Sequence, residues 1–230
     1  MVVNNYQFKP QNFEIQKPYV IICEGEDDLF FLYEYLNYLY NAQLIDKNIF
    51  KIIKANGVAN IPKEMKNYKN YSNYGAMKGF LFIRDADNNP VSAIDSMVGN
   101  IKDVWGVQLD RSGNFKTDAE GVKIGFFIFP GLDDYGKYRA GTLEDLCTEI
   151  FNSADGNTQA ILSLVEEHMK KLNDINIKFK TPHKNKLHLC LDSTNDFLGD
   201  KIGESARKNA FDFSSDKISV LKSRIIDFVK

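Results

Sequence analysis

The 230-residue sequence predicts an α/β protein: a mostly parallel sheet with helices on both faces, followed by an α-rich C-terminal extension. Three observations carry this. Short apolar runs rich in β-branched and aromatic residues recur at Tyr19–Cys23, Phe50–Lys54, Gly79–Arg84 and Val122–Phe129, the pattern of strands buried on both faces. Segments between them return apolar residues at helical spacing. Beyond residue 150, helical spacing dominates. Alternation of strand and helix implies parallel pairing, because a parallel neighbour needs a crossover long enough to hold a helix.

Residues 1–17 are polar and aromatic without clear period, an edge strand or an arm. The first strand, Tyr19–Cys23, stops at the Glu24-Gly25 turn, and Cys23 points into the core. Asp27 and Asp28 then lead a helix with Leu29, Leu32, Leu36 and Leu39 on one stripe, acids at its positive end. Phe50–Lys54 ends at Ala55-Asn56-Gly57, and a second helix runs from Ile61 to about Tyr71 with Pro62 in its first turn. Gly79–Arg84 ends at Asp85-Ala86-Asp87, and Val91–Val104 reads as a helix broken by Gly99. Val122–Phe129 is closed by Pro130-Gly131. The Gly-rich, charged loop Leu132–Gly141 follows, either a flap over the sheet rim or a plain surface excursion. Thr142 caps a helix, Leu143–Phe151, with Asp145 where a capping box wants an acid. Gln159–Leu172 is amphipathic, with Ile161, Leu164, Val165, His168, Met169 and Leu172 on one face, which sets His168 in or against the core. Lys186–Leu191 fits strand or helix equally. Ile218–Phe228 is a closing helix with Ile218, Leu221, Ile225 and Phe228 on one stripe. The length suits one domain, 1–230, with a core at 18–150 and an extension at 151–230 packed on it.

A net charge of −2 gives the molecule no basic field, so attraction for phosphate must come from a local patch, from metal ions or from another subunit. The local patch best placed is Lys178–Lys186, with Lys178, Lys180, Lys184 and Lys186. Cys23, Cys147 and Cys190 are odd in number and form no CxxC pair, which argues against a disulfide framework and a structural zinc site. A reducing, cytoplasmic setting is expected. No apolar run approaches the roughly 18 to 20 residues that cross a bilayer. No P-loop pattern and no Gly-x-Ser-x-Gly elbow occur, so neither ATPase nor serine-hydrolase chemistry has a seat here.

The acids are the informative residues. Glu24 directly follows the first strand, and Asp85 and Asp87 follow the third. In a parallel sheet these ends share one rim, the rim where ligands of such folds bind. Asp85 and Asp87, two apart, face the same way if the backbone there is extended. A single acid after a strand is more often a cap or a turn former. The joint pattern is more specific: adjacent carboxylates repel unless a cation lies between them, and oxygen ligands of this kind suit Mg²⁺ or Mn²⁺ and phosphoryl transfer.

Val20-Ile-Ile-Cys-Glu-Gly-Glu-Asp-Asp28 resembles the first motif of the Toprim fold, a strand running into Glu-Gly and a helix. Lys54-Ala-Asn-Gly57 resembles its second motif, and Phe82-Ile-Arg-Asp-Ala-Asp87 its Asp-x-Asp motif. Topoisomerases, bacterial primases and nucleases of the overcoming-lysogenisation-defect (OLD) class share that fold, and the resemblance covers about residues 18–150. Gly141-Thr-Leu-Glu-Asp-Leu146 resembles a feature of a smaller Toprim-related bacterial family of unknown function. The resemblance implies an Mg²⁺-dependent nuclease or related phosphoryl-transfer protein acting on DNA or RNA. Glu24 would be the catalytic glutamate, and Asp85 and Asp87 catalytic ion ligands. Asp28 would be a further ligand, Glu144 part of a second metal site, and Lys184 or Lys186 a neutraliser of transition-state charge or nucleic-acid contact. OLD-type nucleases often work with an ATPase, which here would be a separate chain. Asn88-Asn89-Pro90 departs from what topoisomerases and primases carry after Asp-x-Asp. Two other readings keep the fold: a non-catalytic partner or effector subunit of a bacterial defence or repair assembly, and a nucleotide-binding domain.

Overall fold

The apolar runs form β1 (Tyr19–Cys23), β2 (Phe50–Lys54), β3 (Gly79–Asp85) and β5 (Lys123–Phe129). A two-residue β4 (Lys116–Thr117) was not foreseen, being too short and too exposed to leave an apolar pattern. The sheet order is β2-β1-β3-β5-β4, parallel except for β4, which pairs antiparallel with β5 at the edge. The computed structural model describes residues 17–46, 48–71, 73–152 and 156–230; apart from Lys17, the edge strand or arm expected at residues 1–17 lies outside them.

Helices α1 (Glu26–Asn41), α2 (Ile61–Lys69) and α3 (Pro90–Trp105) connect the strands. From β1 the chain crosses to β2 on one side, whereas the crossovers to β3 and β5 run the other way. Right-handed crossovers therefore set α1 on one face and α2 and α3 on the opposite one. The rings agree: Phe31 of α1 lies edge-on to Phe129 of β5, while Tyr68 of α2 and Trp105 of α3 meet Phe80 of β3. The switch in crossover direction leaves a crevice between the carboxyl ends of β1 and β3.

Gly99 does not break α3, which runs unbroken from Pro90 to Trp105. A helical glycine costs about 1 kcal/mol, and burying Ala93, Ile94, Met97, Ile101 and Trp105 on one stripe outweighs that.

The C-terminal half holds α4 (Leu143–Glu149), α5 (Thr158–Asp174), α6 (Pro182–Asp192), α7 (Ile202–Arg207) and α8 (Ser219–Val229). The ambiguous Lys186–Leu191 is thus helical, inside α6, which begins at the Pro182 that fits a first turn. In α5 only Val165 is buried. Leu164 is 64% exposed and His168 is exposed, which corrects the expectation that His168 faces the core. The reason is peripheral packing: α5 leans on α6 rather than on the sheet, so a narrower stripe through Ile161, Val165 and Met169 suffices.

α8 closes the sheet on the face of α1. Phe228 stacks on Phe115 and meets Tyr19 edge-on. It lies so near β3 that a Cβ at Gly79 would come within 2.5 Å of it. α7 approaches α1 as closely, with a Cβ at Gly203 falling 2.4 Å from Cβ of Phe30. One continuous apolar cluster runs from the strands through α1 to Phe197, Phe211 and Phe228. Among the described residues no helix is long and apolar enough to cross a membrane.

Candidate functional site

The crevice between β1 and β3 is acidic because four separate elements end there. β1 delivers Glu24 one residue past its end, and β3 delivers Asp85 as its last residue. The first turn of α1 delivers Asp27 and Asp28, and α4 delivers Glu144. The second motif holds this geometry through its backbone: the amides of Ala55 and Gly57 donate to the carbonyls of Cys23 and Glu24, at 2.8 and 3.0 Å.

Burial makes the charges costly. Asp28 is 6% exposed and Glu144 is 5% exposed. Burial raises the carboxyl pKa of Asp28 to about 6, and the charges of Glu24, Glu144 and Asp27 add to the rise against a hydrogen bond from the Gly25 amide. Burial also pushes Asp85 well above the usual carboxylate range, reinforced by Asp28, Glu144 and Glu24. Glu24 is raised too, first by burial; the Arg84 guanidinium opposes the rise and Asp87 adds to it. Each acid thus feels its neighbours, so Glu24, Asp28, Asp85 and Glu144 occupy one electrostatic site.

Several of these carboxylates already have partners. Asp28 Oδ2 accepts from the Gly25 amide at 2.8 Å, and Asp85 Oδ1 accepts from the Leu143 amide at 2.9 Å. Glu144 Oε1 lies 3.0 Å from Nζ of Lys184, which also reaches Asp27 Oδ2 at 3.2 Å. Glu24 Oε2, by contrast, is buried with no hydrogen-bond partner. As the side chains stand, no three His, Cys, Asp or Glu among the described residues form a group that could hold a metal ion.

Asp87 departs from the expected alternation with Asp85. Its backbone turns into the left-handed region, φ 51°, because β3 has ended at Asp85 and the chain reverses into α3. Its side chain is 65% exposed and stands 3.9 Å from the Arg84 guanidinium. The Asp87 carbonyl in turn accepts from the Gly141 amide at 2.7 Å, which joins the Asp-x-Asp turn to the start of α4.

The loop 132–141 is fastened to the body. Leu132 and Tyr138 pair across it, and Arg139 forms a two-pronged bridge to Glu149 at 2.6 and 3.0 Å. The foreseen capping acid is in place: Asp145 Oδ2 accepts from the Thr142 amide at 2.7 Å. Its other oxygen lies 2.6 Å from Nδ1 of His183, a contact the sequence did not reveal. Lys186 turns away from the crevice to Glu166, at 2.6 Å, so the basic stretch splits rather than forming one patch. Arg84 was also missed. Its signal was a cation inside an otherwise apolar strand, where it is now 9% exposed beside two of the acids.

Residues 18–228 fit the family model described as "Protein of unknown function (DUF3226)". The chain belongs to the DUF3226 family. No curated protein matches this DUF3226 chain. Among solved structures it is similar to the C-terminal region of the OLD protein of Xanthomonas campestris pv. campestris. The identity is 17% and the TM-score 0.48, with 93% of this chain and 96% of that chain covered.

Proposed function

We propose that this DUF3226 protein is a Toprim-type, Mg²⁺-dependent phosphoryl-transfer protein, a nuclease acting on DNA or RNA. The observation that carries the reading is the gathering of Glu24, Asp28, Asp85 and Glu144 at the switch point of a parallel sheet, with Glu24 Oε2 buried and unpartnered. The order of the motifs along the chain supports it.

The donor set fits a hard divalent cation. It is all oxygen, it is rich in mutually repelling charge, and it includes an acceptor with nothing to accept from. Glu24, Asp85 and Glu144 would hold the ion, with Asp28 and Asp87 beside them. A bound Mg²⁺ would place positive charge where a scissile phosphate develops negative charge.

The remaining roles belong to the chain. Glu24, with its pKa raised by burial, can hold or release a proton at Oε2 nearer neutral pH than an ordinary glutamate can. Asp28 fixes the first turn of α1 through the Gly25 amide and so sets where Glu24 lies. Arg84 keeps the charge on Glu24 tolerable within a buried rim. Lys184, reaching in from α6, is the cation of the basic stretch that meets the crevice and can face a phosphate there.

The test is cleavage of single- and double-stranded DNA and RNA with Mg²⁺ or Mn²⁺, comparing the natural chain with Asp85→Ala. Activity confined to the natural chain supports the proposal, and equal activity in both overturns it. Mn²⁺ binding without cleavage of any substrate moves the protein to the non-catalytic subunit reading.

A further inference from the structure

Two acids at the crevice, Glu144 and Asp27, meet a lysine from a different part of the chain, and of these Glu144 is the buried one. The Lys184 ammonium lies 3.0 Å from Glu144 Oε1 and 3.2 Å from Asp27 Oδ2, spanning α4 and the first turn of α1. The Glu144 side chain is 6% exposed, so its charge has almost no water to fall back on, whereas Lys184 is 51% exposed and its stem is free to swing outward. Lys184 does not hold α6 in place on its own. The neighbouring His183 is tied to Asp145, Lys186 to Glu166, and the buried Leu187, Cys190 and Leu191 pack that helix down. The ammonium can therefore leave Glu144 while its helix stays.

We infer that Lys184 is the built-in counter-cation of the acidic crevice, and that it competes with a divalent ion for Glu144. This rests on the proposed metal-binding reading and adds a residue that sets the affinity and timing of ion entry. One carboxylate oxygen cannot face an ammonium and an incoming Mg²⁺ together at short range without the two cations repelling. Ion entry thus expels the ammonium from Glu144. The expelled group remains tethered within one side-chain length of the crevice, where the next anion to arrive is a substrate phosphate. The ion-free protein is thereby spared an uncompensated buried carboxylate.

The experiment titrates Mn²⁺ alone, without substrate, and reads free ion by electron paramagnetic resonance. Lys184→Met should bind Mn²⁺ about fivefold more tightly than the natural chain, the scale of a half-exposed ion pair. Lys184→Arg should bind as the natural chain does. Lys186→Met removes the same charge from the same helix and should leave affinity within about twofold, since its partner is Glu166. A second readout needs no variant: Mg²⁺ should increase reductive methylation of Lys184, located by mass spectrometry, relative to Lys171. Unchanged affinity in Lys184→Met, an equal gain in Lys186→Met, or Lys184 labelling indifferent to Mg²⁺ each overturns the inference while leaving the metal reading standing. Absence of Mn²⁺ binding in the natural chain and in every variant removes both.

Discussion

At the scale of single residues, the crevice stores electrostatic repulsion. Asp85 and Glu24 have raised pKa values, so the folded chain is less stable with them ionised than it would be with neutral isosteres. Asp85→Asn and Glu24→Gln should each raise the thermal midpoint of the ion-free protein by about 2–5 °C and weaken Mn²⁺ binding. A loss of stability in both variants, by calorimetry, would mean that the carboxylates serve the fold and not an ion. Asp28 gives a pH window. Its carboxyl moves from the ordinary 3.8 to about 6, burial first and neighbouring acids next. The folded state therefore binds this proton more tightly than the unfolded state. The associated stability is full below about pH 4 and is lost as pH rises through about 6, by roughly 3 kcal/mol. Urea melts of the ion-free protein should show this decline. Asp28→Asn should flatten it, and saturating Mn²⁺ should do the same.

At the scale of elements, the site depends on how α4 starts. Gly141 has φ 132°, and a Cβ there would lie 2.6 Å from Asp145 Oδ2 and 3.1 Å from Pro130. Its amide also ties the Asp87 turn to α4. Gly141→Ala should cost about 1–3 kcal/mol through backbone strain and the lost cap, measured by denaturant melts. Ion affinity should fall with it, because the Leu143 amide that orients Asp85 and the Glu144 carboxylate both shift.

At the scale of the molecule, the second half of the chain completes the first. α8 covers the part of the α1 face of the sheet that α1 leaves open, and α7 packs on α1. Phe228→Ala removes a ring that touches β3, Tyr19 and Phe115, and should cost about 3–5 kcal/mol. Gly203→Ala should cost about 1–3 kcal/mol by forcing α7 off Phe30. Thermal melts with losses below 0.5 kcal/mol at both positions would show that the extension is a loosely attached appendage. Lys184 enters the crevice from this same half, so packing of the extension also places the cation that meets Glu144.

The sequence by itself determined the four parallel strands, the alternation that makes their pairing parallel, and the placing of Glu24 and Asp85 at strand ends. These are local matters: short runs rich in β-branched and aromatic residues, such as Val20–Ile22 and Phe80–Ile83, followed by turn residues read as buried strands, and parallel order sends their ends to one rim. The stripe Ile218, Leu221, Ile225 and Phe228 was legible for the same reason. Tertiary structure decided the rest. Asp87 leaves the strand alternation because β3 ends at Asp85 and its own backbone takes φ 51°, which residue spacing does not encode. His168 faces solvent because α5 lies at the periphery. Lys184 meets Glu144 while Lys186 meets Glu166 because α6 packs at one particular rotation. Two lysines alike in composition are separated by about 200° around a helix, and only packing selects which of them faces the acids.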